Sequence, residues 1–250
     1  MFPINFFWVG KKLGVLHASC LRSFIKQGHE VILHGYEKPE DVPAGVILAD
    51  ARKLMPEHEI FRHKDTGSLA ITSDIFRYRL QREGMGLYVD CDVYCVKPFP
   101  NQEYVLTWEN NTLLNPAILK VPADSQLLKH LLQASENPYF IPPWLSKSKR
   151  NKLLLRKLIG RPKHVAQQEW GVIGPQLLTY YVKQLGLEAY SSAADIYAPV
   201  YGGMTNLLFE EGLTIQDLIS HRTVSIHLYN HGLLKKPIVP DTPIYEILNS

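Results

Sequence analysis

The first fifty residues restrict the fold more than any other stretch. Ile4 to Val9 is an apolar run stopped by Gly10-Lys11-Lys12, and it reads as a buried strand. Val15 to Gln27 then sets Leu16, Cys20 and Phe24 at helical spacing, and Gly28 closes that helix. Glu30 to Leu33 is a second strand and Val46 to Leu48 a third. Strand, helix and strand in this order imply a parallel α/β sheet, whose ligands lie at the carboxyl ends of the strands. That places Trp8 and Val9 at a strand end where a nucleotide could bind. Trp8 either stacks on a base there or fills the core like an ordinary tryptophan.

The second constraint is Asp90-Cys91-Asp92, which follows the apolar run Gly86-Leu87-Tyr88-Val89. Side chains on a strand alternate, so both carboxylates are expected on one face and Cys91 on the other. Two carboxylates that close repel each other unless a cation lies between them. A divalent ion with oxygen ligands suits the pair, and such ions commonly serve phosphate-bearing substrates. The plain alternative is a strand end followed by a solvated turn.

The helix before this pair is expected from about Ser68 to Glu83, capped by Asp65 or Thr66 and stopped by Gly84. Leu69, Phe76 and Leu80 fit its core face. Asp74 and Arg77, three positions apart, share another face. Such a pair is either a surface ion pair or, because the helix leads into the acidic strand, part of the same site. His58 and His63 fall in the polar loop before this helix.

Further strands are expected over Tyr104–Trp108 and Leu113–Leu119, the latter holding Asn115, with a helix from about Asp124 to Ser135. Residues 137–144 form a proline-rich, aromatic break. Gly174-Pro175 opens another helix, with proline in the first turn. Ile196 to Tyr201 reads as an edge strand and Val224 to Leu228 as the final strand. His227, Asn230 and His231 follow at its end, and a histidine there could complete the coordination of an ion held by Asp90 and Asp92. The stretch from Lys235 to Ser250 reads as a surface tail.

Bulk composition narrows the class. The chain has 250 residues and is 46% hydrophobic, enough for one sizeable core. Low-complexity tracts and internal repeats are missing, and no apolar run approaches the roughly 20 residues of a membrane span. The opening MFPINFFWVG lacks a basic leader and a small-residue cleavage site, so it reads as a strand and not a signal peptide. Three cysteines, an odd and sparse set, point to reduced thiols and a cytoplasmic setting.

Charge is unevenly spread. Residues 147–163 carry eight Lys and Arg and no acid; taking those from 27 basic residues leaves 19 against 24 acids, so the rest of the chain is net −5. On a helix Leu154, Leu155, Leu158 and Ile159 cluster apart from the cations. An amphipathic basic helix suits an anionic membrane surface or an anionic acceptor, or else packs on the body with a solvated face. A nucleic-acid partner is not expected, because the patch is local and no binding module accompanies it.

Taken as a set, these residues resemble glycosyltransferase family 32. Ser73-Asp74, Arg77, Leu80, Gly84, Gly86, Tyr88, Asp90-Cys91-Asp92 and Lys97-Pro98 are similar to its sugar-binding region containing the DXD motif, with Met85 standing between the glycines. Phe7-Trp8-Val9-Gly10 resembles the family's opening, Asn115-Pro116-Ala117 its asparagine-bearing strand, Gly174-Pro175 with Leu178-Thr179 its later helix, and His227-Leu228-Tyr229-Asn230 its closing motif. The resemblance implies an α/β fold of GT-A type. That is a single domain over residues 1–250, with a mixed, mostly parallel sheet flanked by helices and a helical acceptor lobe. Residues 137–165 would be a basic, partly helical insertion. It also implies retaining transfer of a hexose-type sugar from a nucleotide-sugar donor, with a UDP-sugar favoured, to a glycan or glycolipid acceptor. Bacterial surface polysaccharide or lipopolysaccharide synthesis is the expected setting, with peripheral contact at the inner membrane face through 147–163.

Carried over residue by residue, Asp90, Asp92 and His227 would hold Mn²⁺ or Mg²⁺. Trp8, Val9, Asp74, Arg77, Tyr88, Asp90 and Asn230 would contact the donor. Glu169 and Asn115 are the candidates for the reactive face, since retention needs a nucleophile or a guided front-face attack. Two rival classes share features with this chain. A haloacid-dehalogenase-like phosphatase also places D-x-D after an apolar strand, but gives the helix with Asp74 and Arg77 no role. A non-catalytic nucleotide-sugar-binding protein would not require the intact acidic pair.

Overall fold

A computed structural model describes residues 2–230 and 233–250. Its frame is the expected mixed, mostly parallel sheet flanked by helices. The strands are β1 (Ile4–Trp8), β2 (Val31–Gly35), β3 (Val46–Asp50), β4 (Leu87–Val89), β5 (Val93–Cys95), β6 (Val105–Trp108), β7 (Leu114–Lys120), β8 (Ser191–Ser192) and β9 (Ser225–His227). Seven of them form one sheet in the order β3-β2-β1-β4-β7-β6-β8, and β5 pairs with β9 in a separate ribbon. Strand β7 is antiparallel to β4 and β6, whereas the other neighbours in the large sheet are parallel.

Alternation along the central strands builds a core on each face. Ile4, Phe6, Leu87 and Val89 pack with Leu21 and Phe24 of helix α1 (Val15–Lys26). Phe7 and Tyr88 point to the opposite face, where they meet helix α2 (Ala70–Arg82). The Phe7 and Phe76 rings stack with centroids 4.1 Å apart. Helices α3 (Gln126–Ser135) and α5 (Pro175–Gln184) cover α2 in turn, so α2 is buried nearly all round and shows little amphipathic contrast. Gly86 is required where α2 turns into β4. Its φ is +104°, and a Cβ there would stand 2.5 Å from the Pro3 carbonyl oxygen.

Four expectations are corrected, and the place of the final strand is added to them. The acidic pair is not in a strand: β4 ends at Val89, and Asp90 to Asp92 form a turn in which the Val93 N–H donates to the Asp90 carbonyl at 3.1 Å. Helix α2 begins at Ala70, and Ser68 Oγ, not Asp65 or Thr66, accepts the Ala70 N–H at 3.1 Å. Ile196–Tyr201 is not a strand; its start belongs to helix α6 (Ala194–Tyr197), while the short edge strand is β8. The final strand does not join the main sheet but pairs with β5, Val93 facing His227. The expected tail contains helix α8 (Pro243–Asn249), whose fully buried Ile244 and Ile247 pack with Leu16 and Cys20 of α1 and with Ile226. Two further α-helices among the described residues are α4 (Lys147–Leu158) and α7 (Ile215–Leu218).

Candidate functional site

The Asp90–Asp92 turn lies at the carboxyl end of β4, and each carboxylate has its own set of partners. Asp90 Oδ1 accepts from the Tyr88 hydroxyl at 2.8 Å and from Arg77 at 3.0 Å. Arg77 reaches it from α2, also donates to the Pro116 carbonyl, and lies 4.5 Å from the Tyr88 ring centroid. Its Nε stands 3.5 Å from Asp74 Oδ1, and both side chains are buried. The Asp74–Arg77 pair is therefore not a surface pair: it forms the wall behind the acidic turn.

Asp92 faces the other way. Its Oδ1 stands 3.3 Å from His227 Nε2 and its Oδ2 accepts the Asn230 N–H at 3.0 Å. Pairing of β5 with β9 brings these distant residues together. Tyr229, with φ of +49°, turns the backbone so that the Asn230 N–H points back at Asp92. Asn115 on β7 fixes the histidine ring: the Ala117 N–H donates to Asn115 Oδ1 at 2.9 Å, which turns the amide nitrogen toward His227 Nδ1 at 3.1 Å. His227 Nε2, on the other side of the ring, faces Asp92.

Electrostatics follow from this burial. Burial raises the Asp74 carboxyl to about 7, with Arg77 pulling down and Asp90 pushing up. Burial likewise raises Asp90, opposed by Arg77 and reinforced by Asp92. For Asp92 burial is outweighed by His227 and the Asn230 N–H, which hold it well below the usual carboxylate range. For His227 burial lowers the ring, but Asp92 and Asp90 overcome it and the net direction is up. Ligand atoms of Asp90, Asp92 and His227 lie within 4.8 Å of one another. Two carboxylates and an imidazole suit a divalent metal ion, with waters or other oxygen ligands supplying the remaining positions.

Two cavities meet at the turn. One, of about 460 Å³, is lined by Trp8, Val9, His17 and Arg62 together with Asp90 and Asp92. The other, of about 290 Å³, is lined by Asp74, Glu109, Asn115, Trp170 and His227 with the same two aspartates. Arg77 and Asn230 border both. Trp8 packs on the His17 ring at 4.6 Å and donates to the Lys12 carbonyl at 3.1 Å, which holds the indole at the edge of the first cavity.

Three sequence expectations change. Tyr88 is 1% exposed and borders neither cavity; it orients Asp90 and has no surface to offer a donor. Glu169 lies in a different groove, paired with Lys149 at 3.0 Å, and borders neither cavity at the acidic turn. Asn115 borders the second cavity but spends its amide on His227, as a positioning residue. His231 falls outside the described residues, and His63 is a buried loop residue bonded to the Gln168 carbonyl. Sequence reasoning missed Glu109, which sits one residue past the end of β6, the same strand-end signal that singled out Asp90. It also missed Trp170 and His17. All three cysteines are free and buried.

No protein-family model matches the chain, and no curated protein matches it. Among solved structures the chain is similar to one described as a PaToxG glycosyltransferase. The identity is 14%, over 74% of this chain and 69% of that one, with a TM-score of 0.49.

Proposed function

We propose that this chain is a retaining glycosyltransferase of GT-A type, akin to family 32, that moves a hexose-type sugar from a nucleotide-sugar to a glycan or glycolipid acceptor. One observation carries the reading: Asp90, Asp92 and His227 converge at the carboxyl end of the sheet, between a tryptophan-edged cavity and a second one backed by Asp74 and Arg77. Asp90, Asp92 and His227 would hold Mn²⁺ or Mg²⁺, which when bound neutralises charge developing on a diphosphate leaving group.

The chain's own residues divide the remaining work. Trp8 and Val9 present an apolar edge for the base and ribose, and a UDP-sugar is the favoured donor. Asp74 and Arg77 face the second cavity, where the donor sugar's hydroxyls would lie. Asn230 borders both cavities and so spans the two halves of the donor. Glu109 replaces Glu169 as the carboxylate beside the reactive face, across from Asn115 and His227. Residues 137–165 form an insertion on the acceptor side of the single domain, and surface polysaccharide or lipopolysaccharide synthesis is the pathway class. The phosphatase alternative is disfavoured because it gives the helix bearing Asp74 and Arg77 no role, whereas here Arg77 is buried and donates to Asp90 Oδ1.

The test is release of nucleoside diphosphate from a panel of UDP- and GDP-sugars with Mn²⁺. Asp92→Asn should lower turnover by about two orders of magnitude or more. Full turnover by the wild-type chain in excess chelator, or by the variant, would overturn the metal assignment; no turnover of any donor would overturn the activity.

A further inference from the structure

Helix α4 is built inside out. In globular proteins the apolar stripe of a surface helix faces the core and the charged stripe faces water. No residue of α4 is buried. Lys149, Lys152, Leu153 and Arg156, at the spacing of one helix face, line a groove of about 660 Å³ whose other wall includes Glu169. At about 100° per residue, Leu154, Leu155 and Leu158 then fall on the side turned away from the body. They are 46%, 59% and 84% exposed, and Ile159 just beyond is 60% exposed. Lys147, Arg150 and Lys157 are exposed along the same outer half, and Arg161 follows.

We infer that this outer face of α4 lies on a lipid bilayer carrying acidic phospholipids. Leu154, Leu155, Leu158 and Ile159 would enter the boundary between headgroups and acyl chains, while Lys147, Arg150, Lys157 and Arg161 meet the phosphates. An apolar stripe rimmed by cations is the arrangement of helices that lie in the membrane interface. Charge selects this occupant over a second copy of the chain. Two-fold pairing would set residues 147–163, with eight cations and no acid, against themselves. Among the described residues no helix is long and apolar enough to cross a membrane, so the contact is with the surface. The inference is independent of the chemistry at the acidic turn.

Sedimentation of the full chain with vesicles of phosphatidylcholine alone, and of phosphatidylcholine with phosphatidylglycerol, tests it. Binding should require phosphatidylglycerol and weaken with added salt. All substituted side chains are exposed, so the variants should fold. Replacing Leu154 and Leu158 together by Ser should weaken binding about tenfold or more. The triple change Lys147→Gln, Arg150→Gln, Lys157→Gln should weaken it about 100-fold. Equal binding to both vesicle types, or binding untouched by the leucine changes, would overturn the inference. So would a chain that ignores vesicles but forms dimers that the leucine changes disperse, which would assign the face to a second copy.

Discussion

Gly174 offers the sharpest test of how the site wall is built. A Cβ placed there would stand 2.4 Å from Asp74 Oδ2 and 2.9 Å from both its Cγ and its Oδ1. Neither side can step back easily. Asp74 is a short side chain on a buried helix, with Arg77 Nε 3.5 Å from its Oδ1. The backbone just before Gly174 is clamped, because the buried Tyr78 hydroxyl donates to the Ile173 carbonyl at 2.8 Å. Gly174→Ala should therefore act as an overpacking change, costing about 1–3 kcal/mol. For a chain of 250 residues that corresponds to a fall in Tm of about 2–12 °C. Gly202→Ala is the control: a Cβ there meets no atom within 4 Å, so its Tm should not move measurably. The cause can be isolated with a double-mutant cycle. If the clash is with the Asp74 carboxylate, Asp74→Ala removes it, and the two changes should couple by about 1 kcal/mol or more. The readout is thermal denaturation of four proteins, and it stands whether or not the chain transfers sugar. A Gly174→Ala protein that melts with wild type, or costs that simply add, would refute the cradle.

Two further outcomes follow from the same wall. Asp74 sits at about 7 in the folded chain against about 3.9 when unfolded, so the folded state holds the extra proton between those values, and stability should fall as pH rises from about 4 to about 7; Asp74→Asn should flatten that slope in urea midpoints taken across the range, and an unchanged slope would refute the assignment. Asn115→Ala should free the His227 ring and weaken Mn²⁺ binding about 10–100-fold by calorimetry; an affinity equal to wild type would remove Asn115 from the positioning role.

Much of the frame was legible because periodicity is a local property. Strand β1 and helix α1 could be placed from the apolar run that starts at Ile4 and from the spacing of Leu16, Cys20 and Phe24, and all four of these residues are buried. The acidic turn was legible as chemistry but not as geometry. Its carboxylates diverge to Arg77 and to His227 because a turn, unlike a strand, gives each residue its own direction. Glu169 misled because adjacency to the Gly-Pro helix says nothing about which groove a side chain enters; Lys149, twenty positions earlier, decides that. Helix α8 was hidden by the proline-rich run before it, although Thr242 caps it and Pro243 opens it, both visible signs of a helix start. Ile196–Tyr201 is too short for its period to separate a helical turn from a strand.

The β5–β9 ribbon sets a timetable for the molecule. Asp92 and Asn230 are 138 positions apart in the chain, yet one hydrogen bond joins them. At the usual pace of synthesis, about 5–20 residues per second, Asp92 waits about 7–28 seconds for its partner. During that interval the central sheet can already be pairing, and Arg77 and Tyr88 can engage Asp90, while Asp92 stands without His227 and Asn230. The site is thus a late product of folding, assembled by a contact of high sequence separation, and such contacts form slowly. Convergence of Asp90, Asp92 and His227 is thereby tied to synthesis of the chain through Asn230.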